Sequence, residues 1–224
     1  MNSLNIVCVK WGTKYSSEYV LKLHNMVSRN IKVPFKFYCY TDDSTGLESI
    51  NTIPIESDSI GVWPKLDLLK IFTQGETIYF DLDVVILNPL ERLCSIKTRT
   101  VSVLYAQWKS DYFYPHTEKH HAPTLYNSSI MKWVDNQGIN IYNHFIKNKD
   151  YILLKYHKGI DRYFFNDPVE IDILPTSIAY SYHLGARYMK DEESGKLRTD
   201  YEVCILNHGE KNHQLDGWVK DYWV

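Results

Sequence analysis

Four kinds of feature are scarce in this 224-residue sequence: paired cysteines, long apolar runs, excess charge of one sign, and glycine or proline. With only 10 Gly and 8 Pro against 44% hydrophobic and 23% charged residues, the chain is neither collagen-like nor low-complexity, and its composition is that of a folded globular protein. A net charge of -2 provides no field that would hold nucleic acid or an anionic membrane, so any phosphate binding falls to local groups. No apolar run approaches the about 18 residues of a membrane span, and Met1-Asn2-Ser3-Leu4 leaves no room for a charged and then apolar leader, which predicts a soluble protein. Cys8, Cys39, Cys94 and Cys204 form no CxxC pair, and three of them lie in apolar runs where a thiol packs as a small hydrophobe. A reducing cytoplasm is the expected compartment. The length suits one domain, residues 1–224. Aromatic residues are not scarce: 18 Tyr, 6 Trp and 8 Phe supply flat faces suited equally to sugar stacking and to ordinary cores.

Strand and helix signals alternate through the first half. Asn5–Lys10 reads as a strand, followed by Ser16 or Ser17 as a helix cap and by Val20, Leu23, Val27 and Ile31 at helical spacing. Phe35–Thr41 is the next strand, Asp42 to Gly46 a turn, and Trp63-Pro64 opens a helix through Phe72. Thr77 to Leu87 reads as one further strand. Strands separated by helices predict an α/β fold with a mostly parallel central sheet, whose ligand site lies at the carboxyl ends of the strands. In the second half, 101–107, 126–133, 171–174 and 201–207 read as strands and 138–149 as a helix.

Asp81-Leu82-Asp83 interrupts an otherwise apolar run. Alternation along a strand puts both carboxylates on one face, where they repel and resist desolvation unless a cation neutralises them. Oxygen ligands select a hard divalent ion, Mg2+ or Mn2+. In a helix beginning at Pro64, Lys65 shares a face with Leu68, Leu69 and Phe72, so its amine either points inward toward an anionic ligand or snorkels to the surface. Asp42 and Asp43 follow a strand and fit either a contact to a base or ribose or a solvated Asx turn. Asn207-His208-Gly209-Glu210-Lys211 combines an imidazole, a glycine that permits close backbone approach and a lysine able to neutralise a diphosphate.

Together, Lys10-Trp11-Gly12, Thr41-Asp42-Asp43, Trp63-Pro64-Lys65-Leu66, Phe80-Asp81-Leu82-Asp83, Tyr126-Asn127 to Met131 and the His-Gly-x-Lys end resemble the nucleotide-sugar glycosyltransferases of the GT-A fold. The resemblance is greatest to small bacterial and viral members related to the glycogenin and lipopolysaccharide galactosyltransferase group, and it covers nearly the whole chain. It implies that Asp81, Asp83 and His208 hold the metal on the donor diphosphate, that Leu82 and Gly209 lie against the donor, and that Lys211 contacts the diphosphate. It further implies that Trp11, Thr41 and Asp42 bind the nucleoside, and that Asn127 lies near the sugar. The ending departs from the family's usual His-x-x-Gly-x-x-Lys-Pro, being shorter and carrying Asn212 where proline is usual.

Asp161 stands roughly where such enzymes carry an acid facing the donor sugar. It is suited to general-base work or to orienting the sugar, and equally to pairing with Arg162 or Lys158. Between Trp108 and Tyr126, His116, His120 and His121 fit an acceptor-binding loop better than a second metal site, because Pro115 and Pro123 oppose a helix. The expected activity is metal-dependent transfer of a hexose from a nucleoside-diphosphate sugar, UDP-linked by preference, to a hydroxyl of a glycan. A haloacid-dehalogenase-like phosphatase with Asp81 as nucleophile and Asp83 beside it fits the triplet as well, although that family places its motif nearer the first strand. A sugar-binding protein without turnover fits the aromatic content.

Overall fold

The computed structural model describes residues 4–58, 60–109, 124–157, 159–186, 194–207 and 217–224. Along the chain these form β1 (Leu4–Lys10), α1 (Ser17–Asn30), β2 (Phe35–Thr41), β3 (Asn51–Pro54), a 3-10 turn (Trp63–Leu66), α2 (Leu68–Ile71), β4 (Glu76–Phe80), β5 (Val84–Ile86) and α3 (Glu91–Ser95). There follow β6 (Ser102–Tyr105), β7 (Tyr126–Val134), α4 (Ile139–Lys147), α5 (Lys149–Lys155), α6 (Ile160–Asn166), β8 (Asp172–Leu174), β9 (Ala179–Ser181), β10 (Val203–Ile205) and α7 (Trp218–Tyr222).

A seven-stranded sheet in the order β3-β2-β1-β4-β7-β6-β8 forms the centre, and only β7 runs against its neighbours. This is the mostly parallel α/β sheet expected from the alternation of strands and helices. Side chains alternate across it. Ile6 and Cys8 of β1, Phe37 and Cys39 of β2, and Ile78 and Phe80 of β4 enter one apolar layer, where α1 buries Tyr19, Val20, Leu23, Met26 and Val27. Val7, Tyr40 and Tyr79 point the other way, into a layer shared with Trp63, Leu69, Phe145 and Tyr163.

The run Thr77–Leu87 is not one strand. It divides at the Asp-Leu-Asp triplet into β4 of the main sheet and β5 of a second sheet ordered β5-β10-β9. Two desolvated carboxylates cannot continue inside a ladder walled by apolar layers, so the chain turns there. The helix expected from Trp63 to Phe72 is a 3-10 turn followed by one turn of α-helix, and Ser16 sits at the N-cap of α1 without a side-chain capping bond. Cys8, Cys39, Cys94 and Cys204 are all free thiols. Among the described residues no helix is long and apolar enough to cross a membrane.

Helix α3, only five residues long, is held at both ends by buried charge. The Glu202 carboxylate accepts the backbone N–H groups of Arg92 and Leu93 at 3.0 and 3.1 Å, while the Lys132 ammonium donates to the carbonyls of Leu93 and Cys94 at 2.8 Å each. Each sign complements the dipole end that it faces. Lys132 is fully buried and also lies 2.7 Å from Glu76 Oε1. Lys132→Met would retain the aliphatic stem but strand the two carbonyls and that carboxylate. A loss of about 3 kcal/mol is expected, read as a fall of roughly 6–12 °C in Tm by thermal unfolding; an unchanged Tm would show the ammonium to be dispensable.

Candidate active site

The ladder between β4 and β7 continues one step past Phe80, where Asp81 N–H donates to the Ser129 carbonyl at 2.8 Å. Leu82 turns inward and is buried, and on the far side Leu206 N–H donates to the Asp83 carbonyl at 3.0 Å, opening the β5–β10 ladder. The triplet is therefore a crossover between two sheets. Its carboxylates do not share a face through strand alternation, as the sequence suggested. A turn anchored at both ends by backbone hydrogen bonds brings them to the same cavities.

Lys65 is inward and buried, which decides against a snorkelling surface lysine. Its Nζ lies 2.6 Å from Asp81 Oδ1, which also accepts the Tyr79 hydroxyl at 2.5 Å. Asp83 Oδ2 accepts the Tyr15 hydroxyl at 3.1 Å. Burial, and then the charge of Asp81, push the Asp83 carboxyl above the ordinary carboxylate range. Tyr15 and Tyr79 are raised in turn, each mainly by burial and then by the neighbouring aspartates, so both phenols remain protonated donors.

Two cavities meet at these groups. The first, of about 240 Å3, lies against Val9, Trp11, Lys14, Tyr15 and Leu82. The second, of about 200 Å3, lies against Asn127, Ser128, Ser129, Gly159, Asp161 and Asn207. Val62, Lys65, Asp81 and Asp83 border both. The second cavity lies where β7 is irregular: its pairing with β6 jumps from Met131 opposite Val103 to Asn127 opposite Leu104, and Asn127, Ser128 and Ser129 at this break wall the cavity. Asn127 is buried, with its Oδ1 accepting Ser129 N–H at 3.1 Å. Asp161 Oδ1 accepts both the N–H and the hydroxyl of Ser128 at 2.8 and 2.6 Å, and Oδ2 lies 3.6 Å from Lys109 Nζ. Lys109, a residue distant in sequence, thus pairs with Asp161, while Lys158 lies outside the described residues.

Thr41 and Asp42, expected at the nucleoside, lie beside the first cavity's Trp11 loop and are not among the lining residues of either cavity. The Thr41 hydroxyl is enclosed in its own turn, donating to the Asp43 carbonyl at 2.9 Å and accepting Asp43 N–H at 3.1 Å. The Asp42 carboxylate accepts Gly12 N–H at 2.9 and 3.2 Å. Gly12 has φ +65°, a conformation that glycine adopts without strain, so Asp42 and Gly12 together fix the loop that presents Trp11. His208, Gly209 and Lys211 lie outside the described residues, as do the histidines of the 116–121 stretch. The residue before His208 is described: Asn207, at φ +65°, borders the second cavity and donates from Nδ2 to Ser181 Oγ at 2.7 Å.

Tyr15, Tyr79, Lys14, Ser128 and Lys109 were not singled out from the sequence. Tyr79 alone carried a readable signal, standing two residues before Asp81 on a strand and so facing the same way.

No family model matches the chain, and no curated protein matches it. Solved structures do. The chain is similar to the glycosyltransferase GlyE of Streptococcus pneumoniae TIGR4 at 12% identity and TM-score 0.56, over 79% of this chain but only 46% of GlyE. The galactosyltransferase LgtC, solved in complex with donor and acceptor sugar analogs, matches at 9% identity and TM-score 0.57, over 91% of this chain and 87% of that one. Mouse xyloside xylosyltransferase 1 matches at 10% identity and TM-score 0.56, over 92% and 98%. At such identities the likeness establishes a shared fold, the α/β arrangement of the GT-A glycosyltransferases.

A carboxyl held above its ordinary range opposes folding once it ionises. The unfolded chain releases that proton at lower pH, so stability falls as the pH rises from the ordinary carboxylate value through the raised one. Asp83→Asn removes this loss and keeps an acceptor for Tyr15. The metal-free variant is expected to melt higher than the wild type at neutral pH, with the gap closing in mildly acid solution. A variant that melts lower at neutral pH would show that the Asp83 charge stabilises the metal-free fold.

Proposed function

We propose that this chain is a single-domain, metal-dependent glycosyltransferase that moves a hexose from a nucleoside-diphosphate sugar, preferably UDP-linked, to a hydroxyl of a glycan acceptor. The observation that carries this reading is the meeting of two cavities at a pair of desolvated carboxylates, on a fold otherwise found in glycosyltransferases.

The donor set fits a divalent ion. Asp81 Oδ2 and Asp83 Oδ1 accept no hydrogen bond among the described residues, while their partner oxygens are held by Lys65, Tyr79 and Tyr15. Two free carboxylate oxygens in a desolvated setting suit Mg2+ or Mn2+. Among the described residues no third His, Cys, Asp or Glu joins them, and His208, next in sequence to Asn207, is proposed as the third ligand. Such an ion, when bound, stabilises charge developing on the leaving diphosphate.

The remaining roles belong to the chain's own groups. Trp11 offers its half-exposed ring to the base from the loop fixed by Asp42, with Leu82 as the wall behind. Lys65 holds Asp81 in place through its 2.6 Å contact. Asn127, whose amide nitrogen makes no hydrogen bond among the described residues, donates to a sugar hydroxyl. Asp161, with one oxygen held by Ser128 and the other near Lys109, is a fixed acceptor, an arrangement that favours orienting the sugar over taking a proton. Gly209 and Lys211 are assigned to the diphosphate by the family resemblance of the His-Gly-x-Lys ending. Four free thiols accord with a reducing, cytoplasmic setting. The phosphatase alternative finds no support in the fold, which is shared with glycosyltransferases.

Calorimetry with UDP is expected to show binding strengthened by Mn2+, and UDP-hexoses should release UDP in the presence of an acceptor. Asp83→Ala should abolish the metal enhancement, and His208→Ala should weaken it. Metal-independent UDP binding in the wild type would sink the metal assignment, and phosphate release from a generic phosphoester without UDP release would favour the phosphatase. Asp161→Asn should lower turnover by roughly a hundredfold if it takes a proton, and by much less if it only orients the sugar, with UDP affinity unchanged either way.

A further inference from the structure

Of the two lysines that the sequence offers to an anionic donor, Lys65 is engaged by Asp81 and Lys211 lies outside the described residues. The first cavity contains another cation. Lys14, exposed on the loop between β1 and α1, borders that cavity and makes no ion pair among the described residues. Its ammonium rests 4.7 Å from the centre of the Tyr15 ring, whose hydroxyl is bonded to Asp83 Oδ2. A cation on an aromatic face is only loosely held and remains available to an anion. The charge balance points the same way. Among the described residues, Asp81 and Asp83 are opposed by Lys65 and Lys14, and Asp161 by Lys109 just outside the lining, so a divalent ion would leave these six side chains with two positive charges. A nucleoside-diphosphate sugar carries two negative ones.

We propose that Lys14 binds the diphosphate of the donor from the mouth of the first cavity, swinging from the Tyr15 ring to a phosphate oxygen. The inference rests on the donor-site reading above and adds a binding residue to it. Tyr15 thereby serves both charges, steadying Asp83 through its hydroxyl and parking Lys14 on its ring.

The test compares the wild type with Lys14→Met, which keeps the aliphatic stem, and Lys14→Arg, which keeps the charge. Binding is measured by calorimetry with UDP, inorganic pyrophosphate and uridine, each with Mn2+. Lys14→Met should weaken UDP and pyrophosphate about ten- to a hundredfold, leave uridine unchanged and lose most of its defect at high salt, while Lys14→Arg should bind nearly as the wild type does. Unchanged pyrophosphate affinity in Lys14→Met, or an equal loss for uridine, overturns the assignment. The two readings fail differently: wild-type binding that ignores Mn2+ but still depends on Lys14 defeats the metal alone, Mn2+-dependent binding indifferent to Lys14 defeats this inference alone, and no binding of UDP or pyrophosphate by the wild type defeats both.

Discussion

Two like charges a residue apart, withdrawn from water, set the terms for the rest of this molecule. Asp81 and Asp83 repel each other and lose hydration, yet each is fixed by hydrogen bonds at one oxygen only. Every element that approaches them contributes a donor. The 3-10 turn supplies Lys65, β4 supplies Tyr79, and the loop before α1 supplies Tyr15. Such an arrangement lowers the cost of burying the carboxylates without cancelling it, because the remaining oxygens face cavities and not partners. A fold selected for stability alone would have no reason to keep both acids there.

The same turn explains why the protein has two sheets. Pairing Asp81 to Ser129 and Asp83 to Leu206 requires the chain to leave the main sheet on β4 and enter the second on β5. β7, the one strand of the seven-stranded sheet opposed to its neighbours, completes the exchange. Its regular half, Ile130 to Val134, pairs with β4, and its irregular half, Asn127 to Ser129, turns side chains toward the acids. Sheet irregularity here coincides with the second cavity and does not weaken the core, because Trp133 and Met131 on the regular half remain fully buried.

Much of this was legible in the sequence. The positions of β1, α1, β2 and β7, the parallel character of the sheet and the importance of the acidic triplet all follow from apolar periodicity and its interruption. The division of Thr77–Leu87 was not legible, because flanking apolar residues look alike whether they continue one strand or begin another. The local partners of Thr41 and Asp42 were not legible either. A hydroxyl and a carboxylate after a strand read as ligand contacts, whereas backbone N–H groups in the turn and at Gly12 claim them first. Short strands such as β9, Ala179–Ser181, carry too few residues to show a period at all. Tyr15 and Lys14 were invisible for a related reason: their roles depend on where a loop returns over the sheet, and loops have no periodicity.

The late part of the chain is tied to the early part by the order of the second sheet. β10 lies between β5 and β9, antiparallel to the first and parallel to the second, so the backbone emerging from Ile205 must pass beside Asp83 whatever follows it. Asn207 marks the exit in a left-handed conformation that costs a non-glycine residue some strain, and its amide is pinned to Ser181 of β9. A strained, hydrogen-bonded residue is a fixed launching point, not a slack one. The described backbone thus reaches Asn207 beside Asp83, at the edge of the cavity that both acids border.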